Sequence, residues 1–201
     1  LGINAGRLGF LASTPMEEFE QSLTDFLSGN AETDPRSMIT VEGQGSMFDG
    51  LNMGLNECSV LKSDSSSMIT IHTYVDEEYL NSYWADGLII ATPTGSTGYS
   101  LSCGGPIVHP GSQNLVITPV CPHNLTTRPL VVPDSSQIKC KVECRDSHFL
   151  VSLDSRSRVI RDTAELTIYK CRHTLMLVKP RGYSYFDTLR QKLNWGKDMR
   201  N

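Results

Sequence analysis

The 201-residue chain has no apolar run approaching the roughly 20 residues that a membrane-spanning helix needs, and no signal-peptide pattern. It also lacks an excess of positive charge. The 18 Lys and Arg stand against 22 Asp and Glu, for a net charge of -4 and a pI near 5.7. The basic footprint of a nucleic-acid-binding protein is therefore missing, and neither nucleic acid nor membrane is expected as a partner. The six cysteines, Cys58, Cys103, Cys121, Cys140, Cys144 and Cys171, form no C-x-x-C pair. The five histidines have no metal-ligand spacing, so a zinc ribbon is excluded and no metal-binding residue is expected. No Walker A sequence and no G-x-G-x-x-G fingerprint occurs in the glycine-rich stretch. There is no internal repeat and no low-complexity segment.

What remains is an ordinary globular composition, 39% hydrophobic and 20% charged, in a length that buries a sizeable core as one large domain or two small ones. Cys140 and Cys144 share one face of an alternating strand with Ile138 and Val142, and read as small apolar core residues in a reducing cytosol. Ser13 or Thr14, Pro15 and the pair Glu17 and Glu18 make a helix start. Met16, Phe19, Leu23, Phe26 and Leu27 then recur at helical spacing until Gly29 stops them, which predicts a helix over 15–29. Residues 30–37 read as a polar turn region. From Met38 the pattern is mainly strand, with segments at 52–61, 69–75, 79–84, 88–91, 115–119, 130–132, 137–144, 149–153, 164–169 and 175–178. Turn residues separate them at intervals that fit a β-sandwich or a barrel. Phe186, Leu189 and Leu193 mark a short terminal helix over 184–196.

The most informative stretch is D-G-L-I-I-A-T-P-T-G-S-T-G-Y-S-L-S-C-G-G-P at 86–106. An apolar strand runs into a turn made of threonine, glycine and serine. Gly95, Gly98, Gly104 and Gly105 let the backbone approach a ligand closely. Thr92, Thr94, Ser96, Thr97, Ser100 and Ser102 each add a hydroxyl that both donates and accepts. Such a loop suits a nucleotide or a sugar, although a glycine- and serine-rich run is more often a plain connection.

The whole string closely resembles the D-G-L-[IV]-x-[AS]-T-P-[TS]-G-S-T-A-Y-S signature of the NAD kinases, with Gly98 at the position of the usual alanine. Three further segments agree in the family's order. These are G-I-N-A-G-R-L-G-F-L at 2–11, L-N-E at 55–57, and P-V-C-P-H-N-L-T-T-R-P-L-V-V-P-D at 119–134. The resemblance covers the chain from Leu1 to about Trp195. The family's G-G-D-G signature, which precedes the first of these segments, is absent, so the chain reads as the C-terminal part of a longer enzyme.

The resemblance implies a mainly β fold with a few helices, the two-sheet, sandwich-like C-terminal domain of the NAD kinase fold, spanning 1–201. An N-terminal α/β domain would lie upstream. The implied reaction moves the γ-phosphoryl of ATP, or of polyphosphate, to the 2′-hydroxyl of the adenosine ribose of NAD, with a divalent cation such as Mg²⁺. The catalytic base is expected in the G-G-D-G segment, so no catalytic residue is assigned here, and the chain alone is expected to be inactive. Asn56 and Glu57 take the adenosine-binding position, and Asp86 faces the nicotinamide end. Thr94, Ser96, Thr97, Gly98, Tyr99 and Ser102 line the dinucleotide pocket. Asp154 falls near the ribose-phosphate, with Ser155 at the position of a usual glycine. Arg128 is a candidate for a phosphate, with Arg156 and Arg158 comparable, and His123 reads as structural. The resemblance further implies a cytoplasmic dimer or tetramer. Two other readings stand beside it. One is a diacylglycerol-type lipid kinase, against which the 92–102 loop fits a dinucleotide better. The other is a non-catalytic β-sandwich that binds a nucleotide or sugar.

Overall fold

The computed structural model describes residues 1–5, 10–12, 14–43, 47–63, 67–144, 148–161, 163–180 and 182–194. Its contacts divide the chain into two compact units, Arg36–Leu175 on the one hand and Leu1–Pro35 with the residues from Met176 onward on the other.

The smaller unit holds a short parallel pair, β1 (Ile3–Asn4) and β2 (Thr14–Pro15), followed by α1 (Phe19–Leu27). A 3₁₀ turn, Met16–Glu18, leads into α1 from Pro15 at φ -59, and no side chain caps it. Thr14 lies buried in β2 and does not act as the expected cap, and Ser13 lies outside the described residues. Gly29 stops the helix as expected, at φ +73. The apolar stripe faces outward: Met16, Phe26 and Leu27 are exposed, while Ser22 and Asp25 are the buried positions.

The larger unit is β-rich. In chain order it is built on β3 (Thr33–Glu42), β4 (Met53–Gly54), β5 (Glu57–Lys62), β6 (Ile69–Val75), β7 (Glu78–Ala85) and β8 (Gly87–Ala91). After β8 comes the short helix α2 (Tyr99–Ser102). Then follow β9 (Asn114–Val120), β10 (Leu130–Pro133), β11 (Ile138–Glu143), β12 (His148–Leu153), β13 (Arg156–Arg161) and β14 (Ala164–Val178). The terminal helix α3 (Tyr185–Leu193) belongs to the smaller unit. Ser184 caps it by accepting the Asp187 N–H at 3.3 Å. The predicted residues 195 and 196 of this helix lie outside the described residues.

Two six-stranded sheets result, in the orders β10-β9-β8-β5-β12-β13 and β4-β3-β14-β11-β6-β7. The sandwich, not the barrel, is what the turns build. The main core lies between the sheets, with Cys58, Val60, Leu88, Ile90, Phe149 and Val151 from the first. Ile39, Ile69, Ile71, Ile138, Val142 and Ile168 come from the second. In β11, Ile138, Cys140 and Val142 point inward while Lys139, Lys141 and Glu143 stay open to varying degrees, the period-two pattern of a one-sided strand. Cys140 is fully buried, and Cys144 packs partly buried against the same core.

The β6–β7 hairpin turns on Asp76 and Glu77, both left-handed, at φ +50 and +67. That turn twists with the strands it joins. Four expectations change. The strand at 52–61 is broken, with β4 in the second sheet and β5 in the first. Residues 33–37 open β3 instead of forming a turn. The strands at 164–169 and 175–178 are one continuous 15-residue strand. An unpredicted strand, β13, completes the edge of the first sheet.

Candidate functional site

The carboxyl end of β8 delivers the glycine-rich loop, and the amino end of β5 lies beside it because the two strands pair antiparallel, Glu57 opposite Ala91. The Thr92 N–H donates to Asn56 O at 2.8 Å and the Thr92 hydroxyl donates to Leu55 O at 2.6 Å. The loop and the Asn56–Glu57 pair therefore form one ledge. Gly95 is required there: a Cβ on it would lie 2.1 Å from Asn56 O, and a backbone carbonyl cannot move aside.

The loop divides into an inner and an outer half. Ser96 is fully buried; its hydroxyl donates to Pro93 O at 2.7 Å and accepts the Val108 N–H at 3.0 Å. Ser96 thus shapes the loop from within and faces no open pocket. Ser100 is likewise buried, its hydroxyl 2.8 Å from that of Thr118 on β9. Thr94 is buried as well. Thr97 is half-buried, while Gly98, Tyr99 and Ser102 are exposed, and these four are the expected pocket residues of the loop that lie on its accessible edge. A Cβ on Gly98 would meet Gly95 O at 3.2 Å and Glu57 Oε2 at 3.4 Å. A methyl group fits with a small adjustment, and the Glu57 carboxyl borders the same space. Burial, then Cys103, Cys121 and Asp86, pushes the Tyr99 hydroxyl above its ordinary pKa.

Asp154, expected near the ribose-phosphate, is bound to the backbone of the Asn56 segment. Its carboxylate accepts three backbone N–H groups, from Leu55 at 2.8 Å, Asn56 at 2.7 Å and Glu57 at 3.2 Å. The Asp154 N–H returns a bond to Glu57 O at 2.9 Å. Asp154 therefore holds the Asn56–Glu57 pair in place. The left-handed residue of its turn is Asp154 itself, at φ +53, and aspartate tolerates this conformation. Ser155 in the place of glycine thus carries no penalty of that kind. Burial, reinforced by the Asp154 carboxylate, raises the Glu57 carboxyl from 4.5 to about 7. Near neutral pH it can donate as well as accept a hydrogen bond.

Asp86 is half-buried, and its carboxylate pairs with Lys62 at 2.7 Å. The Lys62 N–H also donates to Asp86 O at 2.8 Å. Arg128 spends its guanidinium on the carbonyls of Leu125 and Thr127, at 2.7 and 2.8 Å, and closes its own loop. Arg156 donates to Leu51 O and Met53 O, and Arg158 pairs with Asp49. These two arginines brace the segment that leads to Asn56. His123 stacks on Trp84, ring centroids 4.4 Å apart, in keeping with a structural part.

Motif reading missed Lys62 and Arg36. Lys62 ends a strand and meets Asp86 only through the β5–β8 register. Arg36 lies in β3 and donates to Thr94 Oγ1 at 3.4 Å. Among the described residues no cluster of three or more His, Cys, Asp or Glu is placed to hold a metal ion.

Residues 55–180 match the model of the ATP-NAD kinase C-terminal domain. The chain is 53% identical over 201 residues to an NAD kinase of Cytophaga hutchinsonii and 51% identical over 203 residues to one of Flavobacterium johnsoniae. In both cases all of this chain and 69% of the relative are covered. An NAD kinase from Archaeoglobus fulgidus, solved in complex with ATP, superposes with a TM-score of 0.79 at 30% identity. That match covers 96% of this chain and 73% of that one. Yeast NADH kinase complexed with NADH superposes with a TM-score of 0.90 over 98% of this chain and 60% of that one, and at 24% identity it speaks for the fold alone. The chain belongs to the NAD kinase family, the enzymes that phosphorylate NAD to NADP, and carries their C-terminal domain.

Proposed function

We propose that this chain supplies the NAD-binding part of the kinase and that the adenosine end of NAD lies on the ledge made by Asn56, Glu57 and the 92–102 loop. The observation that carries this reading is the 2.8 Å bond from the Thr92 N–H to Asn56 O, which joins the two segments into one surface. The Asn56 amide offers a donor and an acceptor to an adenine edge. Tyr99 adds an apolar face with a hydroxyl, and Thr97 and Ser102 add further hydroxyls. Glu57, titrating near neutral pH, is suited to meet a ribose hydroxyl as donor or acceptor.

In the full-length protein the 2′-hydroxyl of the adenosine ribose attacks the γ-phosphorus of ATP. Its proton passes to a base, and ADP departs. The part of the described residues in this is to bind and orient the attacking hydroxyl, and such positioning is worth a large share of the rate in phosphoryl transfer. The base is assigned outside this chain. The described residues present no cluster of His, Cys, Asp or Glu for a divalent cation. The same reading places the protein in the cytoplasm as a dimer or tetramer, with exposed Trp84, Leu125 and Leu130 as apolar surface for self-association.

Calorimetric titration of the chain with NAD tests the reading, beside Asn56→Ala. Binding that weakens about tenfold in the variant is expected, from the loss of a paired amide. No binding to the folded chain or to the full-length protein refutes the assignment. With ATP, NAD and Mg²⁺, the chain alone is expected to give no NADP, and clear turnover would place the catalytic groups within it.

A further inference from the structure

Arg36 is one of the largest fully buried side chains of the molecule, 2% exposed. A guanidinium keeps its charge inside a protein, so its burial is costly unless its donors are engaged. One of them, Nη1, engages the Thr94 hydroxyl. The two residues are 58 positions apart and come from different sheets, Arg36 from β3 of the second and Thr94 from the loop after β8 of the first.

This bond differs in kind from the others that shape the loop. The Thr92 hydroxyl is tied to Leu55, just before β5, Ser96 to the loop itself, and Ser100 to β9, all on the side of the first sheet. Thr94 alone of these four is tied to the second sheet. It stands at the start of the 3₁₀ turn Gly95–Thr97, where its side chain makes no capping bond and is left to receive Arg36. Its carbonyl accepts the Thr97 hydroxyl at 3.4 Å, which extends the connection to the accessible edge.

We propose that Arg36 is a positioning residue for the dinucleotide: anchored in β3 and acting through Thr94, it holds the 92–102 loop in the shape that presents Thr97, Gly98 and Tyr99 to the ligand. The proposal rests on the reading that this loop binds NAD. Arg36 itself, being buried, touches no ligand. Its influence therefore falls on NAD binding and leaves the use of ATP unchanged.

The test compares full-length wild type with Arg36→Met, Thr94→Val and the double variant, by calorimetric NAD titration and by kinetics with NAD and ATP each varied. Arg36→Met is expected to raise the Kd and KM for NAD about tenfold, with the KM for ATP within about twofold of wild type. Added to Thr94→Val it is expected to cost clearly less than it does alone, because the bond through Thr94 is already absent. Arg36→Lys, which keeps the charge, is expected to recover part of the loss. A cooperatively melting Arg36→Met that binds NAD as wild type does overturns the proposal. So do effects of the two substitutions that simply multiply. If Arg36→Met does not fold, Thr94→Val and Arg36→Lys decide, and a wild-type KM for NAD in both overturns it. Wild-type protein that takes no NAD removes the parent reading and this proposal together, whereas an unaffected Arg36→Met removes this one alone.

Discussion

β8 and β11 each lie third from an edge of their sheet, yet all five residues of β8 are buried, while β11 alternates buried and open positions. The difference is what covers the far face. The first sheet packs on the second through the main core. On its other face Ile89, Ala91, Val116 and Val120 form a second cluster with Val108, and Cys103 packs against it. Val108 and Cys103 come from the segment that follows β8 and carries the glycine-rich loop. The second sheet leaves its outer face to lysines and glutamates, joined by surface ion pairs such as Lys139 with Glu77 at 2.8 Å. A loop that must hold a shape is built on the sheet that can bury its base.

This contrast can be broken in graded steps. Gly95→Ala strikes the ledge itself. Its methyl group meets the Asn56 carbonyl, so NAD binding is expected to fall at least about 100-fold and stability by about 3 kcal/mol. Titration calorimetry and a denaturation curve read both, and an unchanged Kd would remove Gly95 from the site. Ile89→Ala hollows the second cluster without touching the main core. A loss of about 2–4 kcal/mol is expected from a chemical-denaturation midpoint, and less than about 1 kcal/mol would mean that this face is not packed. Glu57→Gln sharpens the comparison through pH. Between 4.5 and about 7 the folded protein holds a proton on Glu57 that the unfolded chain has released. Its contribution is therefore complete below that window and lost as pH rises through it. The variant is expected to flatten the fall of Tm over this range, and an identical pH profile would count against the raised value. Lys141→Ala, on the open face of β11, is expected to change stability by no more than about 0.5 kcal/mol in the same denaturation measurement. A larger loss would mean that this face is covered.

The parts read directly from sequence are those in which local pattern and tertiary role coincide. Leu88 to Ala91 is an unbroken apolar run because both faces are covered. Ile138, Cys140 and Val142 alternate because one face is not. The family's motifs singled out the Asn56–Glu57 pair and the 92–102 loop, which the structure joins through the Thr92 N–H. The misses lie where tertiary pairing supplies what the local sequence lacks. Residues 33–37 are polar and contain Pro35, yet they extend a strand. Arg156–Arg161 is a mostly exposed edge strand with little apolar patterning. Residues 170–174 carry no apolar alternation, and β14 nevertheless runs through them. The roles of Arg36 and Lys62 depend on partners 58 and 24 positions away, reached by a contact between the two sheets for Arg36 and by the β5–β8 register for Lys62. The work of Asp154 as an acceptor for three consecutive amides is a matter of turn geometry, which the sequence does not show.

The unequal burial of the six thiols gives the molecule a built-in optical handle. Burial pushes the Cys140 thiol up to about 12 and Cys58 well above the ordinary range, so neither supplies a thiolate at neutral pH. Cys121 is the exposed one, standing at a left-handed corner, φ +44, just past β9. Its neighbour Val120 accepts the Asp86 N–H at 3.0 Å, so a dye attached to this sulfur sits close to Asp86. One maleimide fluorophore, added in slight excess without mutating the other five cysteines, would report a change in the surroundings of Asp86 as a change in emission.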